Sequence, residues 1–157
     1  MSSNLNHPPG QVIQQLLIDL GKGSDVEDLE AWPIYYANHP DSPDDSICIR
    51  DTEGVKHGRH MTSGEVLMHY GIQVMVRSAN IVDGYVKAKR ISVAFDEDVY
   101  QEIVEMGSGH MYSIQSISRL SDVLYVGTEV GATRRHLYSL NAIVSLRLTE
   151  EGTGTAS

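Results

Sequence analysis

The sequence predicts an α+β fold, with a mixed, mostly antiparallel sheet, two helices packed on one face and a projecting arm at residues 52–70. Three observations predict it. Two segments have the apolar spacing of amphipathic helices, several short segments alternate apolar and polar residues, and one long glycine-bearing run follows neither pattern. Strands that succeed one another with few helices between them favour antiparallel pairing, because short connections join antiparallel neighbours.

The two predicted helices lie at residues 11–21 and 80–95. In the first, apolar residues recur at helical spacing, so one face is available for burial. Asn80 is predicted to cap the second helix, with Asp83 three residues on in a position like that of a capping box. The inward stripe of the second helix is predicted to contain Ile81, Tyr85, Ala88, Ile91 and Phe95.

Short alternating or apolar segments predict the strands of the sheet. They lie at residues 32–37, 46–50, 71–77, 99–106, 110–119, 122–126 and 138–148. The run Gly107-Ser108-Gly109 predicts a hairpin between the fourth and fifth strands. The last strand has the clearest pattern, since apolar residues alternate without a break from Tyr138 to Leu148. This alternation predicts one buried face and one face that is wet or contacts a partner.

Residues 52–70 carry the most information about function. A hairpin loop usually has two to about five residues, and unstructured loops of more than roughly 12–15 residues in a compact domain are usually functional or disordered. The run from Asp51 to Glu65 has three glycines and no sustained apolar period. We therefore interpret the segment as an arm that waits for a partner, which indicates assembly in preference to catalysis.

Composition limits the number of domains and the classes of partner that this chain can have. The chain has 157 residues, 41% of them hydrophobic, which predicts one folded domain at residues 9–148 with a flexible N-terminus (1–8) and a flexible C-terminal tail (149–157). A formal net charge of −9 argues against binding nucleic acid through the whole surface. The single cysteine, Cys48, allows no internal disulfide. No signal peptide or membrane span is evident, so we expect a soluble protein that folds in a reducing cytoplasm.

No catalytic, cofactor-binding or metal-binding motif is apparent among the polar residues. Of the seven histidines, His57 and His60 share one local turn, and no second pair has a metal-ligand spacing. Neither a nucleophile motif nor a phosphate-binding loop is present. Two alternatives from other classes stay open: a small metal-dependent enzyme using His57, His60 and nearby acids, and a ligand-binding regulator with a pocket between sheet and helices.

Several motifs together resemble the minor capsid or tail-completion proteins of long-tailed bacteriophages. Trp32-Pro33 opens the first strand, and Pro40-Asp41-Ser42-Pro43-Asp44 precedes the second. The similarity extends over most of residues 10–148. Its other elements are Ile47-Cys48-Ile49, Asp51-Thr52, Gly58-Arg59, the strand from Gly71 to Arg77, Gly84-Tyr85-Val86-Lys87-Ala88 and the run from Arg134 to Ala142.

The resemblance implies a tail terminator of the virion, assembled in the host cytoplasm. Such a protein forms a homohexameric ring on the tail tube protein, stops tube growth and docks the head-completion or neck protein, while DNA passes through the bore without sequence-specific binding. No enzyme activity, cofactor or membrane contact is expected, and a head-closure or neck adaptor protein is the alternative. The residues expected at the subunit or partner interface are Lys56, His57, Arg59, His60, Met61, Arg134 and Arg135.

Overall fold

The computed structural model describes residues 7–21, 32–40, 43–59, 66–99, 102–130 and 134–150. Two α-helices are present, α1 (Pro9–Asp19) and α2 (Ile81–Val93), and a π-helical segment, Ala94–Asp98, continues α2. The strands are β1 (Ile34–Tyr36), β2 (Ser46–Arg59), β3 (Val66–Ser78), β4 (Ile103–Glu105), β5 (Met111–Arg119), β6 (Leu124–Val130) and β7 (Arg134–Glu150).

The seven strands form one mixed sheet, in which β1 and β2 run parallel and the other described pairs are antiparallel. The order is β1-β2-β3-β7-β5-β4, with β6 also paired to β7. β3 lines one edge of β7, whereas β5 and β6 follow one another along its other edge. The predicted α+β class with a mostly antiparallel sheet is confirmed, and β7 is the strand that joins its two halves.

Both helices pack on the same face of this sheet. The backbone N–H of Gly10, in the first turn of α1, donates to Asp51 Oδ1 at 2.7 Å. Asp51 pairs with Ile72, whose side chain is fully buried on that face. On the α2 side, Tyr138 Oη donates to the carbonyl of Ile81 at 2.8 Å. One continuous core therefore lies between the two helices and the sheet, and its residues include Val12, Ile13, Leu16, Leu17, Ile47, Ile49, Val74, Val76, Ile91 and Leu140.

The start of α2 agrees with the prediction, but its buried stripe differs. The side chain of Asn80 accepts hydrogen bonds from the backbone N–H groups of Val82 and Asp83, which confirms the cap. The placement of Ile81 and Tyr85 in the core is wrong, because their side chains are 47% and 46% exposed. The three other members of the predicted stripe are buried: Ala88, Ile91 and Phe95.

Gly84 lies on the face of α2 that packs closest to the sheet. A Cβ at this position would lie 3.0 Å from Tyr138 Cε2 and 3.1 Å from Ser78 Cβ, so the missing side chain lets the helix approach the sheet closely. We expect Gly84→Val to lower the free energy of unfolding by about 1–3 kcal/mol through overpacking. Urea denaturation measures the change. Arg90→Val, at an exposed position of the same helix, is the control, and equal stability of the two variants would contradict the argument.

The described part of the predicted arm, residues 52–59 and 66–70, is regular β-structure. β2 continues through Arg59 and β3 begins at Val66, and the two strands pair from Thr52 with Gly71 to Arg59 with Val66. Register shifts occur between Thr52 and Val55 and again between Lys56 and Gly58. Bulges of this kind break the two-residue alternation by which a strand is recognised in sequence.

This hairpin extends past the central strand of the sheet. β3 pairs with β7 from Tyr70 to Ser78, so residues 66–69 pair with β2 alone as far as the described chain goes. We refer to residues 52–59 and 66–69 as the arm ribbon. A two-stranded ribbon has unpaired backbone groups along both outer edges, which can pair with another strand.

The remaining differences are at element boundaries. The predicted strand at 99–106 is reduced to β4, and the π-helical segment occupies residues just before it. The Gly107–Gly109 hairpin is confirmed, since Gly109 N donates to Met106 O at 2.8 Å. β7 runs past the predicted start of the C-terminal tail to Glu150. Residues 1–6 and 151–157, on which the predictions of flexible ends fall, lie outside the described residues.

Candidate functional site

Of the predicted interface residues in the arm, some lie on a strand and others lie outside the described residues. Lys56, His57 and Arg59 lie on β2, within the arm ribbon. His60 and Met61 lie outside the described residues. The structure thus brings three of these residues together on one strand that leaves the body of the sheet.

Arg134 and Arg135 begin β7 and, as neighbours on a strand, point to opposite faces. Arg134 is exposed, whereas Arg135 is only 3% exposed. Arg135 Nη2 donates to Glu129 Oε1 at 2.5 Å, and its Nη1 lies 3.7 Å from Asp44 Oδ1. Arg135 therefore contributes to the interior of the subunit, and Arg134 is the member of the pair that presents its charge at the surface of this chain.

Arg77, which the sequence did not single out, is the largest of the fully buried side chains. It lies on the sheet face opposite the helices and fixes the segment that connects β1 to β2. Its Nη2 donates to the carbonyls of Pro40 and Pro43, its Nε donates to the carbonyl of Asp44 at 3.4 Å, and its Nη1 lies 3.5 Å from Glu129 Oε1. We refer to Arg77, Arg135, Glu129 and Asp44 as the arginine cluster.

His39 lies beside the arginine cluster and stays neutral there. Its Nε2 and Ser46 Oγ are hydrogen-bonded at 2.6 Å. Burial, above all, together with the positive charges of Arg77, Arg50 and Arg135, lowers the pKa of His39 to about 3. The surroundings of His39 therefore oppose its protonation in the folded protein.

The most apolar part of the described surface is formed by α2 and β6. Tyr138, which is 5% exposed, lies between Tyr85 on α2 and Tyr125 on β6, with ring centroids 6.1 Å and 5.2 Å away. Leu124, which pairs with Ser139, lies on the sheet face opposite Tyr125. Large apolar side chains on α2 and β6 remain 38–63% exposed. They are Ile81, Val82, Tyr85, Val86 and Val93 on α2, and Leu124, Tyr125 and Val126 on β6. We call this set the α2–β6 surface.

One ion pair joins the π-helical segment after α2 to the end of β5, and another joins α2 to the connection between β5 and β6. Arg119 donates from Nη2 to Asp96 Oδ2 at 2.7 Å and from Nε to both carboxylate oxygens. These hydrogen bonds lower the pKa of Asp96. Lys89 Nζ lies 3.1 Å from Asp122 Oδ1, just before β6 begins. The α2–β6 surface is thereby fixed at both ends, by the tyrosine row at one and by these pairs at the other.

Edge strands supply the other candidate contacts. Among the described residues, β1 pairs with β2, β4 with β5 and β6 with β7, and each has a second edge without a strand beside it. β1 covers β2 only at Ile47–Ile49, so residues 50–59 of β2 also have an open edge in the described part. Open edges accept strands from other chains.

In the described part of the chain, no three His, Cys, Asp or Glu side chains are grouped closely enough to hold a metal ion. His7 and His110 lie 5.4 Å apart between ring centroids, and the Nδ1 of His7 is hydrogen-bonded to Tyr112 Oη at 2.7 Å. Of the helices in the described chain, none has both the length and the apolar character needed to cross a bilayer.

The exposed apolar residues of α2 leave a signal in the sequence. Ile81 and Val82, then Tyr85 and Val86, form adjacent apolar pairs along α2. A single buried stripe needs residues only at three- and four-residue spacing, so adjacent pairs predict apolar side chains beyond that stripe.

The family profile for the bacteriophage tail terminator protein matches residues 13–126. This span includes the last seven residues of α1, the arm ribbon, α2 and the first residues of β6. No curated protein matches the chain. A solved structure aligns with 85% of this chain and 91% of its own, at 16% identity and a TM-score of 0.42. The chain belongs to the bacteriophage tail terminator family, and it is therefore a structural protein of the phage virion.

Proposed function

We propose that this protein forms a homohexameric ring on the finished tail tube. The ring ends tube polymerisation and provides the docking surface for the head or neck. The family match supports the proposal, and one structural observation carries it: the described chain presents two different uncovered surfaces, the arm ribbon and the α2–β6 surface. A closed ring needs an interface of this heterologous kind, in which unlike patches of neighbouring subunits meet.

Charge supports the passage of DNA through such a ring. The formal net charge is −9, so the subunit as a whole repels a duplex. A bore of like sign gives DNA no site at which to bind tightly, because phosphate contacts from Lys and Arg provide most sequence-independent affinity. In this proposal the DNA passes through the ring without sequence-specific binding.

Electron microscopy of particles assembled without this protein tests the function. We expect full heads that remain free and tails that exceed their normal length. Tails of normal, uniform length that join heads readily would overturn the proposal. Heads that leak DNA beside tails of normal length would also overturn it, and would indicate a head-closure protein instead.

A further inference from the structure

We propose that the α2–β6 surface is the receiving half of the subunit interface, and that the arm ribbon of a second copy covers it by pairing with the open edge of β6. The inference rests on the proposed ring and names the residues at which its subunits meet. It assigns one of the two complementary patches to α2 and β6 and the other to residues 52–59 and 66–69.

β6 has the properties of an edge that is covered in the assembled protein. Leu124, Tyr125 and Val126 are 61%, 42% and 50% exposed on a strand whose outer edge has no partner in the described chain. Proteins usually protect such an edge with charges, proline or a covering element. Residues 124–130 contain no proline, and their one charge, Glu129, is paired with Arg135. Left open, this edge would promote aggregation.

The surface is also rigid before any partner arrives. Tyr138 holds the first turn of α2 through its hydrogen bond to the carbonyl of Ile81, and it packs between Tyr85 and Tyr125. A preformed surface loses less conformational freedom on binding, so more of its contact energy appears as affinity. In this arrangement the apolar side chains of α2 contact the incoming ribbon, while the backbone of β6 supplies the hydrogen bonds.

The chain itself carries a suitable occupant. The arm ribbon has open edges on both sides, so it can add a strand to β6 without unfolding any of its own pairs. The arm ribbon has a formal charge of +1, from Lys56 and Arg59 against Glu53, in a chain whose net charge is −9. A ribbon of this sign reduces the repulsion between copies of an acidic chain.

Cross-linking tests the contact directly. The full chain with Arg59→Cys and Val126→Cys is treated with a short bis-maleimide, and Cys48 is buried and does not compete. We expect a ladder of covalent oligomers up to six copies. The control pairs Arg59→Cys with Ile103→Cys, because Ile103 is an apolar residue on another edge strand and is 56% exposed. Equal ladders from both pairs would overturn the proposal, as would cross-linking of Val126→Cys to tail tube protein in place of a sister subunit.

A charge substitution gives an independent measurement. Leu124→Glu and Ile103→Glu add the same charge at similarly exposed strand positions. By native mass spectrometry we expect Leu124→Glu to reduce the fraction of subunits in rings at least tenfold, with its thermal midpoint unchanged, and Ile103→Glu to leave rings intact. Rings that persist in Leu124→Glu overturn this inference and leave the proposed function standing. A wild-type protein that stays monomeric and does not limit tail length overturns the proposed function itself.

Discussion

Arg77→Ala is expected to lower the free energy of unfolding by about 3–5 kcal/mol, the usual cost of removing one partner from a buried ionic network. The substitution leaves the carbonyls of Pro40, Pro43 and Asp44 without the donors they have now. It also deprives Glu129 of one of its two guanidinium neighbours. These hydrogen bonds are part-buried, so acceptors that lose them regain only part of their hydration, and the loss exceeds that of an exposed polar contact.

Urea denaturation, followed by circular dichroism, measures this change. Arg77→Lys keeps the charge but lacks the planar fork that reaches several carbonyls at once, so we expect a smaller loss than for alanine. Arg134→Ala removes an exposed arginine from β7 and should change stability by no more than about 0.5 kcal/mol. If Arg77→Ala were no less stable than Arg134→Ala, the anchoring role of the arginine cluster would be wrong.

Acid is expected to destabilise the protein through His39. The pKa of this side chain is about 3 in the folded protein, against an ordinary value of 6.5, chiefly because of burial. Between those two values the unfolded chain binds a proton that the folded chain does not bind, so the free energy of unfolding falls as the pH falls. Above pH 6.5 both states are neutral at this position and the contribution vanishes. Since His39 is partly exposed, we discount the shift and expect a loss on the order of 2–4 kcal/mol.

Comparison with His39→Gln isolates this contribution, because glutamine keeps a polar group near Ser46 and does not titrate. Denaturation at pH 8 and pH 4 should show that the wild type loses about 2 kcal/mol more than the variant over that interval. Other groups act in the same direction in both proteins: burial lowers the pKa of His7, and the hydrogen bonds from Arg119 lower that of Asp96. Stability curves that run parallel for the two proteins would rule out His39 as the source.

The elements that the sequence predicted correctly are those with local causes. The cap of α2 depends on Asn80 and two backbone groups beside it, and the hairpin at Gly107–Gly109 depends on its glycines. β7 was recognisable because its alternation is continuous from Tyr138 to Leu146. In each case the residues that determine the structure lie within a few positions of one another.

The features that were missed depend on contacts between distant parts of the chain. Arg77 is buried because a segment more than thirty residues earlier in the chain folds over it. Its position in the strand pattern predicts only that its side chain lies on the other face of the sheet from Val76. The pairing of residues 52–59 with β3 is hidden by two register shifts. Neither can be found from periodicity, since bulges and long-range polar contacts leave no regular spacing.

Of the two surfaces proposed for the interface, the sequence indicated only one. The length and composition of residues 52–70 indicated the arm, and Lys56, His57 and Arg59 lie on β2. The second surface was assigned to the core, because Ile81 and Tyr85 have the helical spacing of buried residues. Spacing identifies an apolar stripe but does not distinguish the face that packs within a subunit from one that awaits a neighbour.

The position of β7 in the chain has a consequence for biosynthesis. β7 pairs with β3, β5 and β6, all of which leave the ribosome before it does. Until it emerges, the backbone groups along one edge of β3 have no strand to pair with. Closing contacts of such high sequence separation is slow, so we expect the nascent chain to be most prone to aggregation during this interval.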